Sequence, residues 1–230
     1  MRILITRPAE DGAQIARLLA DKGHEALLAP LLNVKIHDGA PLTLSGIQAV
    51  LATSANGVRA LATRTERRDI PVFAVGPQTL DEAQRAGFIR VRSAEGDAVA
   101  LADAVPRWAD PEAGALLHAA GAEGSGRLAE TLTARGFEVR RLELYRVEAV
   151  PHLPPAAAQA LKENSVQAAL FFSPRSAGVF ADCVGRAGLS TARLMAACIS
   201  ANTARALDRL VFAEIRIAAA PNQSALLDCL

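Results

Sequence analysis

The chain has 230 residues, 51% of them apolar, with a formal net charge of +1 and a pI near 7.8. That is length enough for one large or two small domains with real cores. The balance of charge excludes the pI above about 9 expected of a nucleic-acid-binding domain, and no apolar run reaches the roughly 18 residues that would span a membrane.

Short β-branched runs alternate with helical patterns throughout, which is the mark of parallel α/β architecture. Arg2–Thr6 reads as strand, and Glu10–Lys22 as a helix with Ile15, Leu18 and Leu19 on one face and Gly23 as its stop. Strands follow at Ala26–Ala29 and Ala49–Ala52, then helix Ala55–Thr63, strand Val72–Val75, helix Gln78–Ala86, strand Ile89–Val91 and helix Ala98–Val105. The second half runs strand Ala115–His118, helix Gly126–Arg135, strand Glu138–Leu142, helix Ala156–Glu163, strand Ala168–Phe172 and helix Ser176–Arg186. It closes with strand Ala196–Ile199, helix Thr203–Leu207, strand Glu214–Ala218 and a last helix from about Gln223.

The two halves repeat one another. Ile3–Leu32 reappears in outline as Leu116–Tyr145, with Gly23 falling on Gly136; Ser54 falls on Ser173 and Thr79 on Thr203, in the same order. A unit this long is no solenoid repeat of about 20–50 residues; it implies two similar lobes with a cleft between them. Extended segments at 31–36 and 144–150 occupy equivalent places and read as connectors. Periodicity leaves two partitions open: each copy folds by itself, or the opening βαβ unit of each joins the later units of the other.

Cys183, Cys198 and Cys229 are odd in number, widely spaced and set in apolar surroundings, as buried thiols of a reducing compartment are. MRILI runs straight into RPAEDG with no apolar signal region. The reading is of a soluble cytoplasmic protein without a membrane or nucleic-acid partner. Lys22, Lys35 and Lys162 are the only lysines. The other Lys/Arg positions are all arginine, which suits bidentate recognition of carboxylates or phosphates, and a coding bias that also enriches alanine produces the same skew.

In a parallel sheet, ligands lie beyond the carboxyl ends of the strands. Reading only those loops gives Arg7, Ser54, Asn56, Gly76, Thr79, Gly121, Ser173, Arg175, Ser200 and Thr203 as candidate substrate-binding residues. Singly, the Ser, Thr and Asn among them are ordinary helix caps. As a set they aim several helix N-termini at one cleft, each worth typically 0.3–1 kcal/mol toward an anion. Neither GxGxxG nor GxxxxGK[ST] occurs, and GAEGSG (121–126) only loosely echoes a phosphate loop. His24, His37, His118 and His152 are scattered, so no metal site is expected. Ser54 and Ser173 lack the GxSxG setting of an activated nucleophile. Tyr145, the only tyrosine, stands where a strand meets a connector. As a phenol it can give a proton to a leaving oxygen, or else it packs the connector.

ILITRP, TSANGV, FAVGPQT, LELYRV, FFSPRS, ISANTARAL and APNQSALL, in that order, resemble the blocks of the uroporphyrinogen-III synthase family from end to end. The resemblance implies two flavodoxin-like parallel three-layer domains joined by a two-stranded linker, in the crossed partition: 1–34 with 149–230, and 37–145 between. It implies a cofactor-independent, cyclising lyase acting on hydroxymethylbilane, whose rings carry acetate and propionate groups. The terminal hydroxyl leaves as water, the substituted position of ring D is attacked to give a spiro intermediate, and the ring is inverted on reclosure. The pyrrole nitrogens supply the electrons, so neither metal nor redox cofactor is called for. By motif Tyr145 matches the tyrosine proposed to protonate the departing hydroxyl, and Ser54, Thr79, Ser173 and Thr203 match polar cleft positions. Two positions depart from the pattern: Ser200 stands where glycine is frequent, and Ala120 where an arginine commonly precedes the glycine matching Gly121. A monomer that receives its substrate from hydroxymethylbilane synthase is expected. The competing readings are a non-catalytic two-domain module that closes on an anionic small molecule, and a nucleotide-sugar or phosphotransfer enzyme. The first would usually carry a DNA-binding helix pair or export signal, and the second a phosphate loop.

Overall fold

The computed structural model describes residues 1–123 and 127–230. In chain order the elements are β1 (Arg2–Ile5), α1 (Ala9–Asp21), β2 (Glu25–Leu28), β3 (Leu32–Ile36), β4 (Ile47–Ala52), α2 (Ala55–Ala62), β5 (Val72–Ala74), α3 (Pro77–Arg85), β6 (Val91–Ser93) and α4 (Ala98–Ala104). Then come β7 (Ala115–Gly121), α5 (Arg127–Ala134), β8 (Val139–Ala149), α6 (Pro155–Lys162), β9 (Ala168–Phe171), α7 (Pro174–Ala187), β10 (Met195–Cys198), α8 (Ala201–Arg205), β11 (Glu214–Ile217) and α9 (Gln223–Leu227). Gly124, Ser125 and Gly126, which hold half of the loose phosphate-loop echo and the expected start of α5, lie outside the described residues.

The chain forms two compact units, Met1–Asn33 with Glu148–Leu230, and Val34–Val147. The first contains a five-stranded sheet in the order β11-β10-β9-β1-β2, parallel throughout. Its strands alternate their side chains between two cores. Leu4, Ala169, Phe171 and Cys198 pack under α6, α7 and α8, while Ile3, Ile5, Leu170 and Ala197 pack under α1 and α9. The second sheet has the order β3-β8-β7-β4-β5-β6, with β8 to β6 parallel. Val50, Ala52, Leu117 and Ala119 lie under α2 and α3, and Ala49, Leu51 and Leu116 under α4 and α5. Each unit is therefore a three-layer α/β body of the doubly wound kind, the class that the alternation of strand and helix predicts.

Four local expectations are corrected. Leu18 does not belong to the buried face of α1: Gly12, Ile15 and Leu19 set that stripe, and Leu18 is 38% exposed. The strand expected at Ile89–Val91 begins instead at Val91, because the turn at Gly87 delivers Phe88 to the core and leaves Ile89 76% exposed. The strand expected at Glu138–Leu142 and the segment 144–150 are one continuous strand, β8. Cys183 and Cys198 are buried, but Cys229 is only partly so.

Helix α2 sits unusually close to β7. A Cβ on Gly57 would lie 2.5 Å from the backbone oxygen of Ala119, so no side chain fits without pushing the helix off the sheet. Gly57→Ala should destabilise the protein by about 1–3 kcal/mol, read as a lower urea midpoint at an unchanged slope. An unchanged midpoint would show that the helix moves freely.

Candidate active site

In a doubly wound sheet, ligands collect where neighbouring strands send the chain to opposite faces. In the first unit that point lies between β1 and β9, followed by α1 and α7 on opposite faces. In the second it lies between β7 and β4, followed by α5 and α2.

At the switch point of the second unit is a cavity of about 240 Å³, lined among others by Thr53, Ser54, His118, Gly121, Tyr145 and Val147. A slip in strand register puts the tyrosine there. Ala119 stands opposite Leu142 and Ala120 opposite Glu143, but Gly121 stands opposite Tyr145, leaving Leu144 as the extra residue of a bulge. Without it, strict alternation would turn Tyr145 to the face of Arg141 and Glu143. With it, Leu144 and Tyr145 both enter the core beneath α2, and Tyr145 is only 9% exposed.

Two neighbours fix the phenol. Gly121 makes room for the ring, since a Cβ there would lie 2.7 Å from Cζ of Tyr145 and 3.0 Å from its hydroxyl. Ser54 caps α2: the Gly57 N–H donates to Ser54 Oγ at 3.0 Å, and the same oxygen stands 2.8 Å from Tyr145 Oη. Gly121→Ala should displace the ring and destabilise the protein by about 1–3 kcal/mol, read as a lower urea midpoint. An unchanged midpoint would show that the ring moves aside freely.

His118 completes the cavity wall. It is 3% exposed, with Nε2 at 3.2 Å from Thr53 Oγ1. Burial, with help from the nearby Arg141 guanidinium, pushes its pKa down to about 4. The ring is neutral at pH 7. Sequence reasoning set this histidine aside with the scattered others. The available signal was its place as the one ionisable side chain inside the apolar run ALLHAAG. Ala120 carries only a methyl group, and Arg141 of the adjacent strand reaches across to donate to the Gly121 carbonyl at 2.5 Å.

The other predicted positions follow the carboxyl ends of strands in their own units. Asn56 accepts from Arg59 at 2.9 Å, and Arg59 in turn pairs with Glu82 at 2.8 Å, so Asn56 is engaged along α2 and α3. Gly76 caps α3 through its carbonyl, which accepts from Thr79 N–H at 3.1 Å, and Thr79 is buried. In the first unit Ser173 caps α7 and Ser200 caps α8, their hydroxyls 3.0 Å from Ser176 Oγ and 3.1 Å from Thr203 Oγ1. Arg7 pairs with Asp11 at 3.4 Å and lies 4.9 Å over the Phe172 ring. Arg175 is exposed in the first turn of α7. The repeat is thus chemically unequal. The place of Tyr145 falls on Leu32 in the other copy, and Gly57 on Ser176, which bonds Ser173 itself.

Among the described residues no group of three or more His, Cys, Asp or Glu is placed to hold a metal ion, and no helix is long and apolar enough to cross a membrane. The fold defines a class, doubly wound parallel α/β proteins, and here the switch point of one sheet carries a cavity with a phenol–hydroxyl pair. The family model described as uroporphyrinogen-III synthase HemD matches residues 13–228, and the chain belongs to that family. It is an enzyme with a catalytic role in tetrapyrrole synthesis. No curated protein matches it. Among solved structures, uroporphyrinogen-III synthetase from Helicobacter pylori is similar at 19% identity and a TM-score of 0.65, over 100% of this chain and 98% of that one. A mutant uroporphyrinogen III synthase from Thermus thermophilus is similar at 18% identity and a TM-score of 0.50, over 100% and 96%. At these identities the likenesses speak to the fold.

Proposed function

We propose that the chain is a cofactor-independent lyase that cyclises hydroxymethylbilane to uroporphyrinogen III, with Tyr145 as the general acid. The observation that carries this is the Ser54–Tyr145 pair, 2.8 Å apart in the cavity at the switch point of the second unit. Ser54 Oγ already accepts from the Gly57 N–H. This favours Ser54 donating its own proton to Tyr145 Oη, which leaves the phenol O–H free for the substrate and stabilises the phenolate once that proton has gone.

The chemistry then balances. Tyr145 protonates the terminal hydroxyl, the C–O bond breaks, water leaves, and the adjoining pyrrole nitrogen lone pair stabilises the cation. The substituted α-carbon of ring D attacks to form the spiro intermediate. The bond from that carbon to its former bridge breaks, and the new cation closes on ring D's other α-carbon. The proton released there restores the phenol. A cavity of about 240 Å³ is below the roughly 300–1,000 Å³ of drug-sized sites, so it takes one reacting ring end rather than the whole tetrapyrrole. Substrate carboxylates are assigned to the remaining loop positions: Asn56, Gly76, Thr79 and Gly121 in one unit, and Arg7, Ser173, Arg175, Ser200 and Thr203 in the other. We also assign the two units to two working domains, and the protein to the cytoplasm as a monomer that takes its substrate from hydroxymethylbilane synthase.

The test supplies fresh hydroxymethylbilane and measures the isomer formed. Uncatalysed closure gives type I, so an excess of type III supports the assignment and type I alone contradicts it. Ser54→Ala should cost about 1 kcal/mol of stability through the lost cap and slow turnover about tenfold through the lost partner of the phenol. Stability lost with turnover unchanged would reduce Ser54 to a cap.

A further inference from the structure

His118 offers more than a packed wall. Its Nδ1 is buried and has no hydrogen-bond partner among the described residues, while Nε2 has one, Thr53 Oγ1. A neutral imidazole carries one N–H. Placing that proton on Nδ1 would bury an unpaired donor, which folded proteins avoid because its desolvation goes uncompensated. The proton therefore belongs on Nε2 and is donated to Thr53 Oγ1. A hydroxyl that accepts from the histidine is left with its own O–H to direct elsewhere, and Thr53 lines the cavity beside Ser54.

We propose that His118 is a positioning residue that fixes Thr53 as a hydrogen-bond donor into the cavity, where Thr53 binds a carboxylate of the ring whose hydroxyl Tyr145 protonates. This rests on the proposed reaction for the identity of the ligand, but not for the His118–Thr53 pair. Because the ring is neutral at pH 7, it adds orientation without adding charge. The division of labour follows: Tyr145 acts on the leaving oxygen, and Thr53 holds the ring that carries it.

Two measurements separate the parts. Nitrogen NMR of the 15N-histidine-labelled protein without substrate should show His118 as the Nε2–H tautomer, and the Nδ1–H tautomer would overturn the pair whatever the protein's substrate. In steady-state kinetics with hydroxymethylbilane, Thr53→Val and His118→Phe should each raise KM about tenfold, the effect of losing one charge-assisted hydrogen bond, with kcat changed less than about threefold. The double variant should be no worse than either single one. His118→Gln, which can keep an N–H near the Nε2 position, should restore KM to within about threefold of the parent. Additive effects, an unchanged KM in Thr53→Val, or a glutamine variant as impaired as the phenylalanine one would overturn the proposal. Thr53→Val leaves the strand core intact, so the test survives if His118→Phe fails to fold. Lack of turnover by the parent protein would instead sink the proposed reaction, leaving the NMR result to decide the pair.

Discussion

Replacing Tyr145 with phenylalanine is expected to slow cyclisation by about 10²–10⁴-fold, the range spanned by general acid catalysis, without abolishing it. Holding the chain ends together supplies the remaining acceleration and does not depend on the phenol. The ring of phenylalanine fits the same space, because the room beside Gly121 is set by the absent Cβ and not by the hydroxyl. Stability should fall only by about 1 kcal/mol, for the lost bond to Ser54. The product should remain type III, since ring inversion follows from where the cation meets ring D. A rate equal to that of the parent would remove Tyr145 from the mechanism while leaving the family assignment untouched.

Acid should weaken the fold through His118. The group is protonated near pH 6.5 when unfolded but only near pH 4 when folded. Between those values the unfolded state binds more protons, so stability falls as pH drops from about 6.5 toward 4 and levels off below. The full loss for this one side chain is about 3 kcal/mol. The charged neighbour that deepens the effect is Arg141 of β8; Thr53 of the loop after β4 offers only a hydroxyl. Urea midpoints of the parent and His118→Gln, measured at pH 7 and at pH 4.5, isolate the term, because the acidic residues titrate alike in both. The parent should lose more between the two pH values. Equal losses would place the unpaired proton elsewhere.

The broad plan is legible in the residues because a βαβ unit must alternate periodicities, and because two copies of one plan leave matching glycines and caps at Gly23 and Gly136, or Ser54 and Ser173. Ligand loops of a parallel sheet follow the strand ends, so Ser54 and Gly121 are readable as candidates from position alone, while Tyr145 stands out as the only tyrosine at a strand–connector junction within a matching motif; all three line one cavity. The decisive detail was hidden. Leu144 and Tyr145 are adjacent and both buried, which breaks strand alternation and reads as a boundary; the bulge that reconciles them exists only through pairing with β7. Gly57 looks like any small residue in a helix until the Ala119 carbonyl is placed against it. His118 gains its meaning from burial and from a threonine in the loop after β4, neither of which local pattern encodes.

The central claim is that Tyr145 gives its proton to the departing oxygen. The most direct test compares the parent and Tyr145→Phe on hydroxymethylbilane and on an analogue whose terminal hydroxyl is acetylated, so that acetate leaves without needing a proton. The account predicts a deficit of at least about 10²-fold on the natural substrate that nearly vanishes on the acetylated one. An equal deficit on both would show that the phenol shapes the cavity and does not act as the acid.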